Sequence, residues 1–156
     1  MPIAAMVGAV ESEQGPIDVF CANAGVDASN VGAADVVTLL PQDPDRSARG
    51  LRRALLEALG VDVGVVVSDS FGRPWRLGIT DVALGVSGFA PLADLRGETD
   101  TEGREMKATV VAVADQLAST AELTSGKTSR RPVVLIRGVE LPAGSGSVAQ
   151  DVVMPA

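Results

Sequence analysis

The sequence predicts an α+β fold, in which a mixed β-sheet packs with two main amphipathic helices. Short valine-rich apolar runs indicate the strands, and two longer stretches with apolar residues at helical spacing indicate the helices. Because these elements alternate irregularly, a doubly wound sheet is disfavoured. The chain has 156 residues, 46% of them hydrophobic, which is enough to bury one core, and we therefore expect a single domain over residues 1–156.

The first strand is expected at residues 17–21, an apolar run that ends at an Asn-Ala-Gly turn. This strand would deliver Asp27 and Asn30 to its far end. Residues 36–40 are largely β-branched and apolar, and they predict a second strand. Pro41 terminates it, because proline cannot donate a hydrogen bond to a neighbouring strand.

The first helix is expected to follow directly. Asp43 is a suitable N-cap, Pro44 fits the first helical position, and Gly60 supplies a left-handed stop. The apolar residues that share one face are Ala48, Leu51, Leu55 and Leu59. The arginines of the helix are Arg46, Arg49, Arg52 and Arg53. We interpret this arginine cluster as the solvated side of the helix rather than an anion site, because acidic residues lie beside it.

The clearest strand is predicted at residues 61–67, a run apolar enough to be buried on both faces in the middle of a sheet. Asp69 and Ser70 are therefore expected to emerge at the C-terminal end of this strand. The loop expected next contains Gly72, which would let the backbone approach a ligand closely.

The same predicted loop contains Arg73, Trp75 and Arg76. Trp75 is consistent either with stacking on a ligand ring or with filling a position in a core or an interface. The two guanidiniums can hold a ligand, or they can form salt bridges to Asp69 or Asp81. We favour the ligand role, because both arginines flank the same aromatic side chain.

The remaining strands are expected at residues 82–86 and 133–137. Residues 91–103 are polar and predict an excursion over the surface. After the last strand, residues 142–147 are rich in glycine and serine and are interpreted as linker-like. We expect this end of the chain to be mobile unless a partner holds it.

A second helix is expected to be capped by Thr109 and ended by Gly126. Its apolar face consists of Val110, Val113, Ala114, Leu117 and Ala121. Residues 125–129 imitate half of a P-loop, but Ala121 stands where the leading glycine belongs and the segment ends a helix instead of opening one, so we reject that motif. Lys127 is then either a cation at the negative end of the helix dipole or a ligand-facing residue.

Composition excludes several classes of chemistry. The chain contains no histidine, no tyrosine and one cysteine. A Ser-His-Asp or Cys-His hydrolase lacks its imidazole base, and a zinc site lacks its usual ligands. The net charge is −7 and no basic stripe is present, which disfavours a nucleic-acid partner. The sequence has no long apolar run and no basic leader, so we expect a cytoplasmic protein without a membrane span.

Two segments suggest phosphate and cation chemistry. Residues 21–30 and 68–76 each place a carboxylate close to the end of an apolar run, and the second adds a hydroxyl, a glycine and arginines. Carboxylate and hydroxyl oxygens suit Mg²⁺ or Mn²⁺, and guanidiniums grip phosphate oxygens in pairs. The alternative is that each aspartate only caps its own turn.

Taken together, these segments resemble the coenzyme F420-0 gamma-glutamyl ligase family, whose fold the chain is then expected to share. The resemblance continues through residues 39–49, 80–85, 112–118 and 132–138. By resemblance, the divalent metal ligands are Asp27, Asp69 and Ser70. The residues implied to bind nucleotide are Asn30, Gly126 and Lys127. Arg73 and Arg76 are our candidate catalytic residues, holding the acidic precursor or the transferred phosphoryl group. Because a lysine at position 127 would replace the positive charge of a second metal ion with its own, we expect a site with one metal ion and not two.

The resemblance implies a GTP-dependent ligase that adds L-glutamate to coenzyme F420-0 through an acyl phosphate, in a homodimer with interlocking strands. Mg²⁺ or Mn²⁺ would be its cofactor and GTP its co-substrate. The resemblance also implies an N-terminal portion with further GTP contacts, which we expect this chain to lack. The alternative is therefore a catalytically incomplete homologue that binds metal or nucleotide, or that acts as a dimerisation partner.

Overall fold

A computed structural model describes residues 19–23 and 39–154. The strands are β1 (Val19–Asn23), β2 (Gly64–Arg73), β3 (Arg76–Ser87), β4 (Ala93–Asp94), β5 (Val110–Val111) and β6 (Val133–Ile136). The helices are α1 (Pro44–Leu59) and α2 (Val113–Ser125), followed by a short π-helical turn at Val148–Val152. The predicted α+β class with two main helices is confirmed, and the extent of the domain stays a prediction.

Four of the strands form a mixed sheet in the order β3-β2-β1-β6, in which only the β1–β2 pair is parallel. The buried valines of β2 alternate between two clusters. Val65 and Val67 pack with the apolar residues of α1, whereas Val66 packs with those of α2. Because neighbouring side chains of a strand point to opposite faces, the two helices cover opposite faces of the sheet. The prediction of a central strand buried on both faces is confirmed.

Helix α1 begins and ends where its sequence predicts. The Asp43 side chain accepts a hydrogen bond from the Arg46 backbone N–H at 2.8 Å, and Gly60 adopts φ 72° as the left-handed C-cap. Ala48 and Leu55 are fully buried on the inner face. The helix therefore follows from short-range sequence signals alone.

The end of the central strand is different from the prediction. Strand β2 does not stop after Val67 but continues to Arg73 and forms a hairpin with β3. Asp69 and Ser70 thus lie within a strand, and Gly72 is paired with Ile79 instead of belonging to a loop. Polar residues extend the strand because the antiparallel partner supplies the hydrogen bonds that a solvated loop would take from water.

Two further predictions are corrected. Thr109 does not cap α2, which begins after Ala112 without a side-chain cap, because the residues just after Thr109 pair as β5 with β4. Leu39 and Leu40 are exposed and lie outside any strand, and the remainder of that predicted strand falls outside the described residues. Gly126 does end α2, as predicted.

The glycine- and serine-rich end of the chain is held by the protein itself. The buried carboxylate of Asp45 accepts hydrogen bonds from the Ser147 hydroxyl at 2.7 Å and from the Val148 backbone N–H at 3.2 Å. Val148 is 3% exposed and belongs to the core. The expectation of a mobile end is therefore wrong, because a carboxylate about a hundred residues earlier fixes this segment.

The predicted surface excursion is confirmed as a largely exposed hairpin of β4 and β5. Arg96 donates two side-chain hydrogen bonds to Asp94, which lower the pKa of that carboxyl to about 2. Both side chains are about half exposed, so this ion pair contributes little to folding. No helix in residues 19–23 and 39–154 is long and apolar enough to cross a bilayer.

Candidate functional site

A buried carboxylate lies at the centre of the candidate site. Strand pairing places Asp81 directly opposite Ser70. The Ser70 hydroxyl donates to Asp81 Oδ1 at 2.7 Å, and the Ser68 hydroxyl donates to Asp81 Oδ2 at 3.3 Å. Asp81 is only 2% exposed, and the two hydroxyls supply hydrogen bonds to a polar group that would otherwise be costly to bury.

Helix α2 fixes the backbone at Asp81. Glu122 accepts a hydrogen bond from the Asp81 backbone N–H at 2.8 Å, and the Ser119 hydroxyl donates to the Asp81 carbonyl at 2.8 Å. One helical turn earlier, Asp115 accepts from the Ala83 backbone N–H at 2.9 Å. Residues spaced by three or four lie on one helix face, so this polar stripe takes the place of a neighbouring strand along the outer edge of β3.

Lys127 enters the same cluster from the end of α2. It follows the C-cap Gly126, and its ammonium donates a hydrogen bond to the hydroxyl of Ser70. The structure confirms that residues 125–129 lie at the end of a helix. A P-loop precedes a helix, so its rejection here is consistent with the structure. The structure also shows that Lys127 is placed by a partner 57 residues away rather than by its own helix alone.

Asp69 lies next to Ser70 but on the opposite face of the strand, because the register of β2 is regular at these residues. The Asp69 Oδ1 accepts a hydrogen bond from the Ser70 backbone N–H at 2.8 Å. Strand β1 runs parallel to β2 and ends with Asn23 opposite Ser68. Strand β1 therefore ends at the level of this cluster.

Two predicted site residues, Asp27 and Asn30, lie outside the described residues. Their approach to Asp69 stays a prediction, consistent with the point at which β1 ends. Within residues 19–23 and 39–154, no group of three or more His, Cys, Asp and Glu side chains is placed to hold a metal ion. The oxygens of Asp69 nevertheless suit Mg²⁺ or Mn²⁺, since a carboxylate retains lone pairs after accepting one hydrogen bond.

Arg73 and Arg76 face each other across the tip of the β2–β3 hairpin. Neither forms an ion pair with Asp69 or Asp81 or with any other acid in the described part of the chain, so that alternative is not realised. Trp75 occupies the tip with φ 57° and is fully exposed, which excludes a core position. The interface and ligand-stacking alternatives for Trp75 remain.

A groove of about 1010 Å³ lies at the other end of β3, between α1 and the C-terminal segment. It is lined by Arg49, Arg52 and Arg53. Each of these arginines has an acidic neighbour, the shortest contact being that of Arg52 with Asp62 at 2.6 Å. Arg46, Arg49 and Arg53 are exposed, as predicted, whereas Arg52 is partly buried, and the choice between a solvated helix face and an anion site stays a prediction.

Asp81 and the α2 side chains that hold it are not among the site residues that the sequence predicts. Asp115, Ser119 and Glu122 recur at spacings of four and three, and this periodic polar stripe beside an apolar face was a usable signal. The position of Asp81 was not readable, because it depends on which residue of β2 it pairs with.

Comparison with known proteins gives a consistent match. The family profile described as F420-0:Gamma-glutamyl ligase matches residues 8–138. The coenzyme F420:L-glutamate ligase of Methanopyrus kandleri is 54% identical over 123 residues, which are 78% of this chain and 48% of that protein. The protein of the same name from Methanocaldococcus jannaschii is 46% identical over 136 residues, or 86% of this chain and 53% of that protein.

A third relative of that name, from Methanococcus maripaludis, is 44% identical over 128 residues, which are 81% of this chain and 51% of that protein. The chain thus spans about half the length of the curated relatives it matches. The residues that the family profile matches include the strands and the helix that build the Asp81 cluster.

Proposed function

The chain belongs to the F420-0:gamma-glutamyl ligase family, and from this premise we propose that it joins L-glutamate to coenzyme F420-0 in a GTP-dependent reaction in the cytoplasm. In this reaction the γ-phosphoryl group of GTP passes to a carboxylate of the precursor, and GDP leaves. The amine of glutamate then attacks the acyl phosphate, phosphate leaves, and an amide forms. The observation that supports the proposal is that Ser70, whose hydroxyl contacts Lys127, and its neighbour Asp69 lie on β2 just beyond the point where β1 ends.

Each residue has a proposed role that suits its chemistry. The residues proposed as ligands for Mg²⁺ or Mn²⁺ are Asp27, Asp69 and Ser70, and metal bound there would neutralise charge on the phosphate oxygens. Those proposed to bind the nucleotide are Asn30, Gly126 and Lys127. The ammonium of Lys127 carries a positive charge and three donors, which suit a phosphate oxygen. Arg73 and Arg76 are proposed to hold the acidic precursor or the transferred phosphoryl group.

Asp69→Asn is expected to reduce product formation by about 100-fold or more, because even partners of metal ligands contribute 10- to 100-fold. The purified chain would be incubated with Mn²⁺, GTP, glutamate and coenzyme F420-0, and glutamate addition would be measured by mass spectrometry. Asp62→Asn makes the same acid-to-amide change at an exposed ion pair and should retain activity.

The same assay distinguishes the proposed ligase from the alternative function. A catalytically incomplete homologue would bind Mn²⁺ or nucleotide in a calorimetric titration but form no glutamylated product from the wild-type chain. Full activity of Asp69→Asn would contradict the proposed metal site and leave the family membership untouched.

We also propose that two copies of the chain form a homodimer through the β2–β3 hairpin. Its exposed apolar side chains are Phe71, Trp75, Leu77 and Ile79. Trp75 and Leu77 are almost completely exposed, and β3 is an edge strand of the four-stranded sheet. Within the part of the chain that the structure describes, side chains of α2 form hydrogen bonds with this edge at residues 80–83, and the hairpin beyond them offers apolar surface and a strand edge to a second copy.

Leu77→Ser is expected to shift the protein from a dimeric mass towards the chain mass of 15.9 kDa, because it removes apolar surface from the proposed interface. Light scattering after size exclusion measures this directly. Leu123→Ser is the matched control, since Leu123 is an 89% exposed leucine on α2 rather than on the hairpin. A wild-type monomer, or a dimer that Leu77→Ser leaves intact, would contradict the proposed interface.

A further inference from the structure

We propose that the groove between α1 and the C-terminal segment binds a small organic polyanion, a molecule with two or more phosphate or carboxylate groups. The inference takes up the anion-site alternative for the three arginines that line the groove, Arg49, Arg52 and Arg53. None of the described residues that line it belongs to the Asp81 cluster. The site is therefore a second one, and it does not depend on the proposed ligase reaction.

Arg52 is fixed at the groove by two contacts. A terminal nitrogen of its guanidinium lies 2.6 Å from Asp62 Oδ1. Its Nε lies against Gly88, where a Cβ atom would come within 2.9 Å, so the glycine leaves the space that the guanidinium occupies. This buried Nε has no hydrogen-bond partner among the residues that the structure describes. Because a buried donor without an acceptor is costly, an anion that draws this edge of Arg52 towards the groove would supply the missing acceptor.

Arg49 and Arg53 are available to a ligand, although each has an acidic neighbour. The charged groups of Arg49 and Asp43 are 3.7 Å apart, and so are those of Arg53 and Glu57. This separation is longer than a normal hydrogen bond, and all four side chains are more than half exposed. Exposed ion pairs of this kind contribute little to stability, so both guanidiniums can exchange these neighbours for a ligand at small cost.

The charge and the size of the groove indicate the class of ligand. Two acids also line it, of which Asp62 pairs with Arg52. The other, Asp151, accepts a hydrogen bond from the Ser147 backbone N–H at 2.8 Å. The arginines thus outnumber the acids here, in a chain whose net charge is −7. A volume of about 1010 Å³ suits a small molecule better than a single ion. Since guanidiniums bind phosphate and carboxylate groups through paired hydrogen bonds, several arginines suit a molecule with several such groups.

The experiment is a calorimetric titration of the chain with inorganic pyrophosphate and, separately, with citrate, at low ionic strength in buffer freed of divalent ions. Binding of one probe alone would assign the site to phosphate or to carboxylate groups, and binding of both would assign it to their shared chemistry. The combined variant Arg49→Gln with Arg53→Gln is expected to bind at least about tenfold more weakly, because charge-assisted hydrogen bonds are lost. Thermal unfolding is a second readout, since a bound probe should stabilise the wild type and not this variant.

The matched control combines Arg46→Gln with Arg104→Gln, which removes the same charge at two exposed arginines outside the groove. It should bind like the wild type. A wild-type chain that binds neither probe would overturn the inference. An equal loss of affinity in the control would overturn it too, because overall charge alone would then attract the probes. So would unchanged affinity of the groove variant, the result expected if the probes bind beside Lys127 instead.

Arg52→Lys tests the role assigned to the guanidinium itself. Lysine keeps the positive charge but has neither an Nε nor paired donors, so this variant should bind about tenfold more weakly at unchanged net charge. Wild-type affinity of Arg52→Lys would contradict the role of Arg52. Because these titrations involve no turnover and no divalent ion, their failure is distinct from failure of the Asp69→Asn assay.

Discussion

Gly85→Ala is expected to lower the free energy of unfolding by about 3 kcal/mol or more, because it inserts a methyl group into closely packed backbone. A Cβ atom at Gly85 would lie 2.2 Å from the carbonyl carbon of Pro44 and 2.4 Å from the backbone nitrogen of Asp45. A flexible side chain could move aside, but these atoms form the first turn of α1. The substitution therefore has to push the helix away from β3.

Urea denaturation monitored by circular dichroism measures this change as a shift of the midpoint. Gly50→Ala is the matched control, because no atom lies within 4 Å of the Cβ position at Gly50. Gly50 is an exposed residue inside α1, where alanine is favoured by about 0.5–1 kcal/mol, so this variant should be more stable than the wild type. Equal stability of the two variants would contradict the close contact at Gly85.

Asp45→Ala is expected to lower the free energy of unfolding by about 3–5 kcal/mol. The substitution leaves buried hydrogen-bond donors without an acceptor, and each such donor costs about 1–3 kcal/mol. The Asp45 Oδ1 accepts from the Val86 backbone N–H at 2.9 Å and from the Val148 backbone N–H at 3.2 Å. The other oxygen accepts from the hydroxyl of Ser147 at 2.7 Å. One carboxylate thus joins α1, β3 and the C-terminal segment.

The control is Asp43→Ala, two residues earlier in the sequence. Asp43 is exposed and caps α1, a contact that contributes about 1 kcal/mol. Hydrogen exchange adds a local measurement, in which Asp45→Ala should expose the amide of Val148 while Asp43→Ala leaves it protected. If the two variants are equally stable, Asp45 does not hold the C-terminal segment.

The helix α1 shows how far sequence reasoning reaches. Its N-cap Asp43, its first residue Pro44 and its left-handed stop Gly60 all lie where short-range rules place them. The buried central strand and the end of α2 at Gly126 are confirmed in the same way. These features depend on residues within a few positions of one another, so the amino-acid order is sufficient to specify them.

The hairpin shows where that reasoning stops. The apolar run ends at Val67, and the polar residues after it are typical of a loop when taken alone. They form a strand because β3 pairs with them, and this pairing also brings Ser70 opposite Asp81. A pattern search of one segment contains no information about the partner that completes its hydrogen bonds.

By itself the sequence determined the fold class, the helix α1 and the family to which the chain belongs. Only the tertiary structure decided that Lys127 contacts Ser70, that Asp81 lies buried between them and α2, and that Asp45 fixes the C-terminal segment. These contacts join residues 11 to 102 positions apart. They arise from the register of the sheet and the packing of the helices on it, and neither is encoded in local spacing.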